Sequence, residues 1–516
     1  MERAFAVIFA LSLALLAAGS AFGSEVVKVP VEIFELSNGM KFLAVVRPEL
    51  ATVSAGWVAR VGSANERPGI TGMSHFFEHM MFKGSRTLGT RDIERDPQIV
   101  EEQEKIQEAI RAIDREQRER YRLGEIEDPF ADEARPPELV ELQKRFDDLS
   151  EEQRELMVKD EYDRIYTAAG ASGMNAFTSE DVTVYFITVP ANKLELWFWM
   201  ESDRLLHPVF REFYSERDVV HEERRLRTES TPTGEFDEVF DAMFWQSHPY
   251  SWPVVGWPSD LRSYSLAQAR EYFDTYYAPG NLTAALVGNF DLDEARALAE
   301  RYFGRLPARD PAPDVVTLEM EPRAEKRMVA ECDCQPQVEI RYHSVPFRHR
   351  DSYALEVLAG LLNGRSGRVY KSLVLERGLA ASAAASQDSR KYAGAFSLYA
   401  EAKGGSSPSD LERALLEEIR RIVEEPIPER ELQKVKNQIT ASAYRQLSGG
   451  FFLLIQLLQY EGLGDWRYLN DWAEMTLAVT AADVKRAAER YLDPEERAVG
   501  LYHRETEGRE PEGAEP

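Results

Sequence analysis

The chain has 516 residues, 44% of them hydrophobic and 10% aromatic, which is enough for well-packed domains and too many residues for one ordinary core. Its formal net charge of -27 argues against nucleic acid, whose phosphates would be repelled. The acidity otherwise speaks only of solubility.

The opening stretch, MERAFAVIFALSLALLAAGSAFGSEVV, has a short basic start at Arg3, an apolar run to about Gly19, and small residues after it. Ala21, Phe22 and Gly23 fit a signal-peptidase site, with cleavage before Ser24. The reading is a signal peptide over 1–23 and an exported protein, most simply in a bacterial periplasm. An uncleaved anchor is the other reading, although the run is short for a membrane span. No cysteine lies near the cleavage region, which argues against a lipid anchor.

A mixed strand is predicted over 53–61, and VTVYFITV predicts a β-branched, aromatic strand over 182–189. Helices are expected over 193–206 and from 215 to about 228. Residues from about 91 to 163 differ in kind: two long, charged helical patterns flank a proline-containing break. They predict a helical hairpin projecting from the first domain, read as a solvated insertion with no catalytic role.

The chain also repeats itself. SLAQAREYFDTYYAPGNLTAALVG begins at Ser265 and TAADVKRAAERYLDPEERAVGLYH at Thr480. Each opens on a helix N-cap residue, runs through an amphipathic helix to Tyr276 or Tyr491, meets Pro279 or Pro494, and continues as an alternating strand. The constant offset of 215 residues predicts a duplicated domain. A proline-rich, charged stretch, LPARDPAPDVVTLEMEP, makes a linker between the halves.

The expected organisation is an N-terminal domain over 24–308 carrying the insertion, a linker over 309–324, a homologous C-terminal domain over 325–505, and a polar, acidic tail over 506–516 expected to be disordered. The fold class is α+β, each domain a mostly antiparallel sheet with helices packed on one face. Cys332 and Cys334 are the only cysteines. With one residue between them they would share a strand face, where a bridge is strained. They are read as two strand thiols, with a redox or metal pair as the other reading.

Chemistry concentrates in MSHFFEHMMF, residues 73–82, in a chain with eight histidines. On a helix, His75 and His79 stand one turn apart on the same face, so both imidazoles can reach one ion. Glu78 sits on the neighbouring edge, poorly placed to be a ligand. The plain alternative is two histidines covering the edge of a half-buried helix. H-x-x-E-H is an inverzincin signature, and two imidazoles leave zinc one protein ligand short of a catalytic set. FYSERDVVHEERRLR, from Phe213, is the place to look for a carboxylate. Glu216 and Glu223 are two turns apart and share a face, and Glu222, a quarter turn away, is the second choice.

GITGMSHFFEHMMFKGS, MNAFTSEDVTVYF, ERDVVHEE, YYAPGNLTAALVGNFDLDEARALAERYFGRLP and GRSGRVYKSLVLERGLA together resemble the pitrilysin/insulinase (inverzincin) family of zinc peptidases, in its mitochondrial-processing-peptidase-like branch. The resemblance covers nearly the whole mature chain apart from the insertion and the tail. It implies one zinc ion per chain held by His75, His79 and Glu223, with Glu78 as catalytic base and Glu216 supporting the site from outside the ligand set. Asn175 and Ala176 would lie on a strand that pairs with substrate backbone as an added β-strand. The implied activity is zinc-dependent endopeptidase cleavage of unfolded polypeptide in extended form.

The match fails in one place. Active relatives carry an arginine and a tyrosine, seven residues apart, in a C-terminal domain, where they bind substrate and stabilise the oxyanion. Here those positions hold Val374 and Ala381. Nearby Arg368 and Tyr370 match other family positions and are not read as replacements. The expectation is therefore the zinc-bearing subunit of a heterodimer, with a related subunit (or a second copy in a homodimer) supplying the missing pair. The alternatives are a non-catalytic binding or assembly subunit that keeps a zinc site, and a zinc hydrolase acting on non-peptide substrates.

Overall fold

A computed structural model describes residues 28–129, 131 and 136–505. The expected signal peptide and acidic tail lie outside the described residues.

Among the described residues, eleven strands form two sheets. The first contains β1 (Glu32–Glu35), β2 (Lys41–Val46), β3 (Thr52–Ala59), β4 (Ser172–Thr178), β5 (Thr183–Pro190) and β6 (Leu282–Gly288), in the order β1-β2-β6-β3-β5-β4. The second contains β7 (Lys326–Cys332), β8 (Gln337–Ser344), β9 (Ala380–Ser389), β10 (Gly394–Ala402) and β11 (Arg497–Arg504), in the order β7-β11-β8-β10-β9. Apart from β1, the two orders are one pattern. In each, the first strand pairs in parallel with the last, β2 with β6 and β7 with β11, and the other pairings are antiparallel. The repeat read from the sequence is thus a repeat of topology.

Besides a short one at Pro258–Ser263, the α-helices of the first half are α1 (Met73–Met80), α2 (Arg95–Arg122), α3 (Pro137–Leu156), α4 (Glu161–Ala168), α5 (Leu194–Leu206), α6 (Phe213–Arg224), α7 (Gly234–Phe244), α8 (Leu266–Tyr276) and α9 (Leu292–Tyr302). Those of the second are α10 (Ser352–Leu362), α11 (Pro408–Glu424), α12 (Glu429–Leu447), α13 (Gly450–Leu463), α14 (Tyr468–Ala478) and α15 (Ala481–Tyr491). The repeated helices α8 and α15 open on the same device. Ser265 and Thr480 cap them, accepting from the backbone N–H of Gln268 and Asp483, whose side chains reach back to the cap.

Each sheet has its own half's helices on one face, as expected. The opposite face is covered from the other half. Leu453, Leu454, Leu457 and Leu458 of α13 pack with Leu43, Val45, Val58, Val184 and Val287 of the first sheet. Phe240 and Phe244 of α7 pack with Ala395 and Ala498 of the second. This explains why β3 and β6 are buried along nearly their whole length instead of alternating. Gly56 permits the approach: a Cβ there would lie 2.9 Å from Leu458 Cδ1 and 2.5 Å from Tyr185 O.

The insertion is the expected pair of long helices, α2 and α3, but it is anchored to the body. The buried Arg211 guanidinium donates to Asp96 at 2.7 and 2.9 Å and to the carbonyl oxygen of Lys83 at 2.7 Å. With two N–H groups on the one oxygen, Asp96 Oδ2, and a third on Lys83 O, Arg211 ties the root of the insertion to the loop leaving α1. The cysteine reading needs correcting. Cys332 ends β7 and the chain turns at once towards β8, so Cys334 is not on the strand, and the two are joined as a disulfide with Cα atoms 5.2 Å apart.

Candidate metal centre

Helix α1 starts at Gly72, which has φ +88°, a left-handed conformation that costs glycine little. A Cβ there would also lie 2.4 Å from Val255 O. Glu66 supplies the cap: its carboxylate accepts from the N–H groups of Gly72 and Ser74, each at 2.7 Å, satisfying donors that a helix start leaves free. Burial pushes Glu66 up to about 8 against the pull of these bonds. Met73, Phe76, Phe77 and Met80 turn into the core, which leaves His75, Glu78 and His79 on the other side. Gly72→Ala should lower stability by about 1–3 kcal/mol through this strain, as a fall in urea midpoint would show.

The structure brings three of the singled-out residues together. Donor atoms of His75, His79 and Glu223 all lie within 4.8 Å of one another. His75 Nε2 is 3.7 Å from Glu223 Oε1, and His79 Nε2 is 3.3 Å from Glu223 Oε2. Glu216 takes the other face of His79, with Oε1 2.9 Å from Nδ1, which aims Nε2 at Glu223. Glu222 points away and pairs with Arg225 at 2.6 Å. It joins no cluster.

Electrostatics suit a cation at this point. Burial, with the charges of His79 and Arg227 adding to it, pushes His75 down to about 3, so its lone pair stays free. For His79, burial works against the charged form, but the hydrogen bond and charge of Glu216, with Glu223 and Glu78, outweigh it and raise the imidazole. Burial also works against the Glu216 carboxylate, and its bonds to His79 and Lys83 more than compensate, holding it below its ordinary value. Two imidazoles and a carboxylate, one imidazole held by a second carboxylate, form a donor set that fits zinc.

Glu78 stands beside this set and accepts from Thr178 Oγ1 at 2.7 Å. Burial raises its carboxyl, and Thr178 opposes the rise. Thr178 ends β4, the free edge of the first sheet, which also carries Asn175 and Ala176. Asn175 is exposed and its Oδ1 accepts from the Ala176 N–H at 2.9 Å. A cleft of about 680 Å³ runs from Glu78 and His79 past Asn175 to Met157 and Lys159, at the end of the insertion. The insertion thus helps to wall the cleft, contrary to its reading as a bystander.

Thr178, Lys83 and Arg227 were not anticipated. Lys83 pairs with Glu216 and, at 3.4 Å, with Glu212. Arg227 pairs with Glu223 at 2.7 Å. For Thr178 a signal existed, since strand alternation puts it on the same side as Ala176. In the second half, Val374 packs against the core and Ala381 is exposed on β9. Arg368 is held by Glu431 at 2.9 and 3.1 Å, which supports a structural part.

Comparison with known proteins bears on the family and the fold. Residues 42–106 match the model of the insulinase family (peptidase family M16), and residues 263–439 match that of the peptidase M16 inactive domain. The cluster of His75, His79 and Glu223 lies outside the second match. The zinc protease PqqE of Helicobacter pylori is 24% identical over 473 residues, covering 89% of this chain and 90% of that one. Among solved structures, a protease from Helicobacter pylori superposes with a TM-score of 0.75 at 21% identity, covering 92% of this chain and 99% of that one. The periplasmic protease PqqL from Escherichia coli gives 0.67 at 16% identity, covering 93% of this chain and 48% of that one. The chain carries domains of the M16, or insulinase, peptidase family.

Proposed function

We propose that this chain is a zinc-dependent endopeptidase for extended, unfolded polypeptides, acting as the zinc-bearing subunit of a heterodimer. The observation that carries the reading is the convergence of His75, His79 and Glu223, with Glu78 beside them at the end of a free sheet edge. Zinc, when bound, supplies Lewis acidity towards the scissile carbonyl and makes water a better nucleophile. Glu78 takes a proton from the attacking water as its oxygen bonds to the carbonyl carbon. The same carboxyl then returns that proton to the amine nitrogen as the C–N bond breaks. Thr178 fixes the rotamer of Glu78, and the edge of β4 offers main-chain groups to an extended substrate. That mode of binding selects unfolded chains.

The second half carries Val374 and Ala381 where active relatives carry an arginine and a tyrosine, and this favours a partner that supplies them. Among the described residues no helix is long and apolar enough to cross a membrane. That observation, the expected signal peptide and the periplasmic relative support export to the periplasm. The experiment is turnover of an unstructured, internally quenched peptide by the zinc-loaded chain, alone and with a relative bearing the arginine–tyrosine pair. We expect the partner to raise the rate about 10²–10³-fold, the size of a missing oxyanion donor. Full activity of the chain alone would sink the heterodimer. No turnover in either mixture, with zinc bound, would favour the non-catalytic assembly reading.

Glu216→Ala should weaken zinc binding by about 10–100-fold, because His79 would lose the group that orients it. Competition with a chromophoric chelator would measure this, and unchanged affinity would remove Glu216 from the site.

A further inference from the structure

Far from these ligands in sequence, α10, α12, α13 and α14 enclose a second cavity of about 450 Å³. Its walls include Phe347, Tyr460, Tyr468 and Trp472. The ring of Tyr468 lies 4.6 Å from that of Phe347 and 4.9 Å from that of Tyr460. Glu356 also lines it, and is the one charged residue in the sequence of α10, SYALEVLAGLL. Its Oε2 accepts from Trp472 Nε1–H at 2.7 Å. No hydrogen bond reaches its Oε1 among the described residues.

No lysine, arginine or histidine lines this cavity. Burial pushes Glu356 up to about 7, opposed only by the indole bond. A nearly buried carboxylate with no counter-charge is costly unless something pairs with it. Aromatic faces and a carboxylate together suit a cation.

We propose that this cavity binds a primary ammonium group, with Glu356 as its counter-charge. The ammonium has three N–H donors on a compact head, so it can donate to Glu356 Oε1 while its alkyl stem lies along the rings. A quaternary ammonium would leave Glu356 Oε1 without a donor. The group could come from a free polyamine or from a lysine side chain of a polypeptide. The inference does not depend on peptidase activity.

The test is calorimetric titration of the whole mature chain with n-butylammonium, spermidine and an N-acetylated, C-amidated lysine peptide. n-Butanol and tetramethylammonium serve as controls. We expect saturable binding of the primary amines and none of n-butanol. Glu356→Gln should weaken binding by about tenfold or more with little change in Tm, since the amide oxygen still accepts from Trp472. Ser442→Phe, on an exposed position at the rim, should block the cavity if Glu356→Gln proves unstable. Tighter binding of spermidine would identify a free polyamine, and tighter binding of the lysine peptide a polypeptide. No saturable binding of any amine to the wild-type chain would overturn the proposal. So would equal binding of tetramethylammonium, or affinity unchanged in both variants.

Discussion

Glu78→Gln should lower kcat/KM for an unstructured peptide by about 10²–10⁴-fold, the usual range for loss of a positioned general base. The amide keeps the size of the side chain and an oxygen for Thr178 Oγ1, now 2.7 Å away, so the geometry should survive. What it cannot do is accept the proton of the attacking water. Zinc content should stay the same, because the converging donors belong to His75, His79 and Glu223 and not to Glu78. Rate and metal content measured on one preparation, with the partner present, separate the two effects. A variant that kept its zinc and its rate would take Glu78 out of the mechanism. One that lost both would make Glu78 part of the metal's support.

The second large effect concerns stability. Beneath α1 lies a buried charge pair, Glu201 with Arg204, both on α5. Arg204 donates to Met81 O, the residue after α1, at 3.1 Å. Its guanidinium lies 4.9 Å from the ring centre of Tyr185 and 5.3 Å from that of Trp57. Glu201 accepts from Trp57 at 2.7 Å, from Tyr162 at 3.0 Å and from Tyr166 at 2.8 Å. Arg204→Met would keep much of the packing while leaving the Glu201 carboxylate buried without its cation. Breaking such a pair costs about 3–5 kcal/mol, to be read from urea unfolding. Arg204→Met with Glu201→Gln should recover part of the loss, because no charge is then stranded. A single variant as stable as the wild type would show that the three hydroxyl and indole donors alone support Glu201.

The sequence made parts of this legible for definite reasons. His75 and His79 could be paired because helical spacing is a local rule, and Glu216 and Glu223 shared a face for the same reason. Choosing among Glu216, Glu222 and Glu223 needed either the family resemblance or the fold. In the fold Glu222 faces solvent with Arg225, Glu216 reaches Nδ1 of His79, and Glu223 reaches Nε2. The 215-residue offset marked one helix–strand pair in each half, and the strand orders extend that likeness to five strands of each sheet. Thr178 was harder to find. Strand alternation put it on the side of Ala176, but it meets Glu78 across 100 positions, and periodicity within one strand does not name a partner that far away. The same holds for α13, whose sequence GFFLLIQLLQYEGL shows that it is apolar but not which sheet it covers.

That last contact bears on why a protein whose candidate metal ligands all lie in its first half carries a second half lacking the expected arginine and tyrosine. Cut away everything after the linker, and Leu43, Val45, Val58, Val184 and Val287 lose the leucines of α13 that cover them. The remaining fragment would expose a sticky plane on the very sheet whose edge runs beside Glu78, and fragments so exposed clump with one another. A gene shortened to the ligand-bearing half would therefore yield aggregate rather than a smaller enzyme. The duplicated half stays useful as shelter, whatever chemistry it has lost.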